Sequence, residues 1–166
     1  MKQESLCADD FTVIQRYSDM VYRLAFSLVK NKYDAEDIHQ EVFVRYLCKK
    51  PLFESAEHEK AWFLRVTINL CKNLWKTAWK QKFTQLDEAD IANIPAENPP
   101  ETGIIESVKK LPQKYRIVIH LFYYEELSVE EIAKLLHKKA STVRTQLTRA
   151  RKKLAQLCLY RETQSN

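Results

Sequence analysis

This chain of 166 residues contains a single glycine, Gly103. That one absence removes whole function classes. A phosphate-cradling P-loop and the G-x-G-x-x-G turn of a dinucleotide-binding fold both need several glycines, whose backbone can approach a phosphate closely. A sheet-rich fold full of tight turns is disfavoured for a related reason, since such turns draw on glycine for positive φ. Cysteine is sparse as well. Cys7, Cys48, Cys71 and Cys158 lie far apart, with no C-x-x-C pair and no histidine at zinc-ligand spacing. Buried, reduced thiols are expected, with no metal and no cofactor. There is no H-E-x-x-H, G-x-S-x-G or Cys–His nucleophile pattern, and His39, His58, His120 and His137 are scattered. Catalysis has nothing to stand on, and the chain is not expected to be an enzyme. No uncharged apolar run approaches the ~20 residues of a membrane span, and the first residues carry no signal-peptide pattern. A cytoplasmic protein with no direct membrane insertion is expected.

What is present is a chain that is 45% hydrophobic, enough for packed cores, with an uneven charge distribution. Residues 1–80 carry a net charge of +2, residues 81–103 carry −4 and residues 104–166 carry +7. The acidic middle stretch, QKFTQLDEADIANIPAENPPETG, also holds three of the five prolines and the only glycine. It reads as a flexible linker between two functional units.

The most informative segment runs from Leu127 to Leu157. Ser128 and Glu131 form an S-x-x-E capping box, which predicts a helix opening at Val129 with Ile132, Leu135 and Leu136 on its apolar side. His137 to Ala140 break the pattern, and Ser141 is the expected N-cap of a second helix. There Val143, Leu147, Ala150, Leu154 and Leu157 fall at 4, 3, 4, 3 spacing and form one buried stripe. The opposite side carries Arg144, Thr145, Thr148, Arg149, Lys152 and Lys153, and His137 to Lys153 contain seven Lys or Arg and no acid. A basic amphipathic helix alone is most often a solvated face. A short capped helix, a brief turn and a second helix with a polar N-terminal face together describe a helix-turn-helix, whose second helix fits the ~12 Å major groove of DNA.

The first unit is helical too. Val21, Leu24, Ala25 and Leu28 make an apolar face ending near Asn31, and Asp34 is the expected N-cap of the next helix, with Glu36 and Asp37 in its first turn. That helix should bury Ile38, Val42 and Tyr46 and end at Pro51. A polar stretch through His58 precedes a long third helix with a seam of Ala61, Leu64, Ile68, Cys71, Trp75 and Ala78. Beside the seam runs a polar stripe of Arg65, Asn69, Lys72 and Lys76. In the second unit Ile104, Ile105, Val108 and Leu111 predict a short helix. Pro112 opens another, which should bury Ile117, Val118, Leu121 and Phe122. The expected fold is all-α: two small helical domains joined by a flexible linker, the C-terminal one with a helix-turn-helix.

Three segments resemble the sigma factors of bacterial RNA polymerase, specifically the extracytoplasmic-function type. DAEDIHQEVFVRYL, Asp34 to Leu47, is similar to the family helix that docks on core polymerase. The resemblance places Asp37, Gln40 and Glu41 in that contact, with Phe43 and Leu47 nearby. KAWFLRVTINLCKNLWK, Lys60 to Lys76, resembles the helix that meets the downstream promoter element once the strands separate. Asn69 and Asn73 match positions that face DNA, and Arg65, Lys72 and Lys76 suit phosphates. The preceding loop, Leu52 to His58 with Phe53 and Ser55, corresponds to the part that captures an unstacked base. Trp62 reads as core, whereas Trp79 stays open between DNA and polymerase. The segment from Leu111 to Leu154 resembles the domain that reads the upstream element as duplex. It implies Arg144, Thr145, Thr148 and Arg149 as base or phosphate contacts, Ser141 and Thr142 near a phosphate, and Lys152 as a phosphate contact. His137 departs from the family, standing where this turn commonly has glycine. A left-handed conformation there costs ~1 kcal/mol.

The resemblance implies a polymerase-docking and downstream-element domain over residues 1–80 and a linker over 81–103. It places an upstream-element domain over 104–160 and a tail over 161–166. It also implies three partners: core RNA polymerase, promoter DNA both as duplex and as melted strand, and an anti-sigma factor. The rival is a helix-turn-helix transcription regulator with an N-terminal helical sensing or dimerisation domain, which has no need of the Asp37, Gln40, Glu41 cluster or the Asn69, Asn73 stripe.

Overall fold

The computed structural model describes residues 8–84 and 103–164. Most of the expected linker, Cys7 and the last two residues lie outside that range, as does the side chain of Trp79. Every regular element among the described residues is helical, as expected of an all-α protein. The chain divides into two compact units, residues 1–92 and 93–166.

The first unit packs three helices. Helix α1 (Ala8–Val29) buries Tyr17, Met20, Val21, Leu24, Ala25 and Leu28, an i, i+3, i+4 stripe. It ends in Lys30 at φ 58, a left-handed cap whose N–H donates to the Phe26 carbonyl at 2.8 Å. That reversal sets up Asn31, in extended conformation, as the N-cap of α2 (Lys32–Lys49). Its Oδ1 accepts from the backbone N–H of Tyr33 at 2.9 Å and of Asp34 at 3.4 Å. The expected cap, Asp34, thus lies inside the first turn, because Asn31 comes earlier and already satisfies the exposed amides. Helix α2 buries Ala35, Ile38, Val42, Phe43 and Tyr46 and closes on Lys50, left-handed at φ 40, just before Pro51.

Helix α3 (Ala56–Thr84) opens two residues before His58, because the Ser55 hydroxyl accepts from the His58 N–H at 3.1 Å and caps the helix. Of the expected seam, Leu64, Ile68 and Cys71 are buried, Ala61 and Trp75 are half-buried and Ala78 is exposed. The seam fades because α1 and α2 cover only the first half of α3. In that half the buried arc widens to take in Phe63 and Thr67, the latter satisfied by donating to the Phe63 carbonyl at 2.7 Å. Phe63 is the hub of the unit. Its ring centroid lies 4.6 Å from Tyr17, 5.0 Å from Trp62, 5.4 Å from Tyr46 and 5.6 Å from Phe43. Burial pushes the Cys71 thiol up to about 12, an inert packing group.

The second unit starts with α4 (Ile104–Lys109) and α5 (Gln113–Ile119), which passes into a π turn, His120–Tyr124. Arg116 is buried between them. Its guanidinium donates to the Leu111 carbonyl at 2.6 Å and the Lys109 carbonyl at 3.4 Å, closing the end of α4, and burial lowers its pKa to about 10. Helix α6 (Val129–Leu136) carries the reciprocal capping box of Ser128 and Glu131 and buries Ile132, Ala133, Leu135 and Leu136. It ends on His137, left-handed at φ 54 and ψ 45, as its place in the turn predicts. Helix α7 (Ala140–Gln164) begins one residue before Ser141, so Ser141 stands in the first turn rather than at the cap. The backbone of Lys139 already opens the helix, its carbonyl accepting from the Val143 N–H at 3.1 Å. Val143, Leu147 and Ala150 are fully packed, and Leu154 and Leu157 are half-buried.

Candidate nucleic-acid interface

Packing of Val143, Leu147 and Ala150 turns the other side of α7 outward. Ser141, Thr142, Arg144, Thr145, Thr148, Arg149 and Lys152 are all exposed. Thr145 Oγ1 donates to the Ser141 carbonyl at 3.0 Å and Thr148 Oγ1 to the Arg144 carbonyl at 3.0 Å. With the hydroxyl protons directed back into the helix, each threonine offers oxygen lone pairs and its own methyl group to the outside, which suits a base amino group or a thymine methyl. An open cleft of ≈ 270 Å³ runs between the start of α5, at Lys114 and Tyr115, and the first turns of α7, at Ser141, Thr145 and Arg149. Farther along, Arg151 is drawn away from that exposed row. Its Nε donates to the Tyr123 hydroxyl at 2.7 Å and its guanidinium lies 5.3 Å from the centre of the Phe122 ring.

In the first unit, Arg65, Asn69, Asn73 and Lys76 stand exposed along α3 and Lys72 is half-buried beside them. At 1.5 Å per residue the stripe from Arg65 to Lys76 is roughly 16 Å long. Two residues of the loop before α3 also serve the unit itself. Phe53 is half-buried, its ring 5.6 Å from His58 and 6.0 Å from Trp62, so it anchors the loop on the aromatic cluster. The Ser55 hydroxyl is engaged in capping α3. The large apolar side chain this loop does expose is Leu52, at 93%. A large apolar side chain between Pro51 and Phe53 was the available signal, and periodicity does not register it.

On α2, Asp37 and Gln40 are exposed and Glu41 is half-exposed, its Oε1 2.7 Å from Arg45 Nε. Leu47 is half-buried. Phe43 differs: it is only 6% exposed and packs against Phe63, because it falls on the buried side with Val42 and Tyr46. Val44, 52% exposed and one turn after Gln40 and Glu41, occupies the outer face instead. His39, next to Gln40 in sequence, turns inward. Its Nε2 and Ser18 Oγ on α1 share a hydrogen bond at 2.8 Å, and burial holds its pKa below the ordinary value while Asp19 opposes the shift.

Residues 13–81 match the model of Sigma-70 region 2, and residues 103–154 match that of Sigma-70, region 4. The chain is 31% identical over 144 residues to RNA polymerase sigma factor SigV of Bacillus subtilis, covering 85% of this chain and 86% of that protein. The chain belongs to the extracytoplasmic-function sigma factors of bacterial RNA polymerase. SigW of B. subtilis is 30% identical over 161 residues, with 86% of this chain and 84% of that one covered. SigE of Mycolicibacterium smegmatis is 32% identical over 152 residues, and there the chain spans 58% of the relative's length. Two solved structures share the fold. One is the sigma factor RpoE in complex with the anti-sigma factor NepR from Bartonella quintana, with a TM-score of 0.73 at 20% identity, covering 91% of this chain and 97% of that one. The other is CnrH in complex with the cytosolic domain of CnrY, at 0.63 and 21%, covering 89% and 86%. This sigma factor acts in transcription initiation. An operator-binding regulator with a sensing domain leaves the region 2 match unexplained.

Proposed function

We propose that the two units divide the work of promoter recognition. Residues 1–80 dock on core polymerase through Asp37, Gln40, Glu41 and Leu47 of α2, with Phe43 supporting that face from beneath. They take the melted strand of the downstream element along Arg65, Asn69, Lys72, Asn73 and Lys76 of α3, next to the 52–58 loop. Residues 104–160 read the upstream element as duplex through α7, the stretch 81–103 tethers the units, and 161–166 is a tail. The protein itself is not an enzyme, since nucleotide addition belongs to the polymerase, and it works in the cytoplasm beside the chromosome. No helix among the described residues is long and apolar enough to cross a membrane.

One observation carries this reading. Seven polar or basic residues of α7 share its exposed side while Val143, Leu147 and Ala150 fasten the other side to the unit. That arrangement suits a helix entering the major groove. An inhibitor of the anti-sigma class is part of the proposal, competing for the polymerase-docking face. The test is a pull-down of core polymerase followed by run-off transcription from a genomic promoter library. Specific transcripts that require the added chain are expected. Core polymerase that neither binds the chain nor changes its promoter choice would overturn the proposal.

A further inference from the structure

Glu130 stands in the first turn of α6 and takes no part in the capping box, which uses Glu131. Instead its Oε1 accepts from Arg144 Nη2 at 3.0 Å, linking the first helix of the helix-turn-helix to the exposed side of the second. The two side chains are 64% and 60% exposed. An ion pair so open to water adds little stability. Its placement bears on recognition instead.

We infer that Glu130 is a positioning and specificity-determining residue for Arg144. This rests on the reading of α7 as the duplex-reading helix. A free arginine side chain samples many rotamers, and ordering it on DNA costs entropy. Holding one η-nitrogen against Glu130 fixes the plane of the guanidinium and leaves the rest of its donor fork for O6 and N7 of a guanine. The carboxylate also offsets the charge that Arg144 would bring to any phosphate, so contacts to unrelated DNA gain less. A register that brings a phosphate against Glu130 is penalised outright. A purely structural role has a different signature. An acid in the first turn of α6 favours the helix dipole, and its loss would then act alike on every DNA sequence.

The test uses the full chain bound to core polymerase, selecting from duplexes randomised across the upstream element. Arg144→Ala is expected to flatten the base preference at one position, which checks the underlying reading. Glu130→Gln should lower the preference at that same position by roughly three- to tenfold and tighten binding to unrelated duplex. Introduced into Arg144→Ala, it should change nothing further at that position. Glu130→Asp keeps the charge at the start of α6 but shortens the reach, so it too should flatten the preference while thermal melting stays at the wild-type value. Two results would overturn the inference while base reading by Arg144 stands. One is a Glu130→Gln profile identical to wild type. The other is an effect of Glu130→Gln that persists undiminished without Arg144. A profile unmoved by Arg144→Ala removes the base-reading role first, and the role of Glu130 with it.

Discussion

Glu41 Oε1 lies 2.7 Å from Arg45 Nε one turn along α2, so the carboxylate proposed for docking is already engaged by its own helix. A basic group on core polymerase must displace that guanidinium or bind beside it. Arg45→Ala should therefore speed association, because it frees Glu41 and removes a like charge from the approach path, whereas an i, i+4 pair contributes only about 0.3–0.5 kcal/mol to the helix. Gln40→Ala combined with Glu41→Lys should weaken association by a few kcal/mol at most. Interferometry against core polymerase at two salt concentrations reads both. Equal rates for all three proteins, with normal circular dichroism, would place the docking face elsewhere.

Phe43 poses a sharper question about the same helix. It is 6% exposed, 5.0 Å from the His39 ring and 5.6 Å from Phe63. Phe43→Ala should cost about 3–5 kcal/mol of stability through the cavity it leaves. Any loss of polymerase binding should therefore track unfolding in urea. A variant of undiminished stability that no longer binds core polymerase would return Phe43 to the interface.

The contrast between Phe43 and Val44 shows how far periodicity carries. Spacing identified α2, α3 and the helix-turn-helix because their buried stripes repeat every three or four residues. It also identified the outward side of α7, which is simply what Val143, Leu147 and Ala150 leave over. Phe43 enters through likeness to a motif, and such likeness does not say which side of a helix a neighbouring residue takes. Spacing does not report Phe63 because it sits one step off the seam, in an arc widened by contact with two helices at once. Asn31 and Ser55 were legible only in part. Each is a good cap, but Asp34 and the polar stretch through His58 offered competing starts. The Glu130–Arg144 pair joins residues 14 apart on two helices, and no helical periodicity reports such a pairing.

With only one glycine in the chain, the helices end on other residues: Lys30, Lys50 and His137 all adopt positive φ. For His137, at φ 54, the left-handed conformation costs ~1 kcal/mol that glycine would avoid. The extra freedom of glycine in the unfolded chain offsets part of that gain. His137→Gly should raise the melting temperature of the C-terminal unit by a few degrees, since about 1 kcal/mol corresponds to roughly 4–8 °C in a unit of this size. A lower melting temperature would mean that an imidazole contact, or the freedom of glycine in the unfolded chain, outweighs the strain.

Protonation of His39 should destabilise the N-terminal unit. Burial between α1 and α2 lowers its pKa from 6.5, and Asp19 pulls more weakly the other way. Below 6.5 the unfolded chain therefore binds a proton that the folded chain refuses. Stability then falls with pH until the lowered value is passed, and this group contributes no slope above 6.5. Urea midpoints of wild type and His39→Gln, compared between about pH 8 and about pH 5, should diverge in that direction, the wild type losing more. Parallel curves would show that His39 protonates as readily in the folded unit as in the unfolded chain.

Arg149 and Lys152 are both exposed on α7 yet should fail in different ways. Arg149 lines the cleft beside Ser141 and Thr145, one turn beyond Thr145 and roughly two and a half turns from the start of α7, on the side where a major-groove helix meets base edges. Its guanidinium can make a bidentate contact to guanine, so Arg149→Ala should cost roughly 1–3 kcal/mol on the preferred promoter and little on others. Lys152 lies farther along the helix, where the groove wall offers phosphates, and an ammonium carries charge without a fork. Lys152→Ala should weaken binding to all sequences alike and reduce the slope of affinity against salt by about one phosphate contact. Quantitative binding of each variant to preferred and scrambled duplexes across a salt series separates the two. The distinction fails if Arg149→Ala shifts both duplexes equally, or if Lys152→Ala leaves the salt slope unchanged.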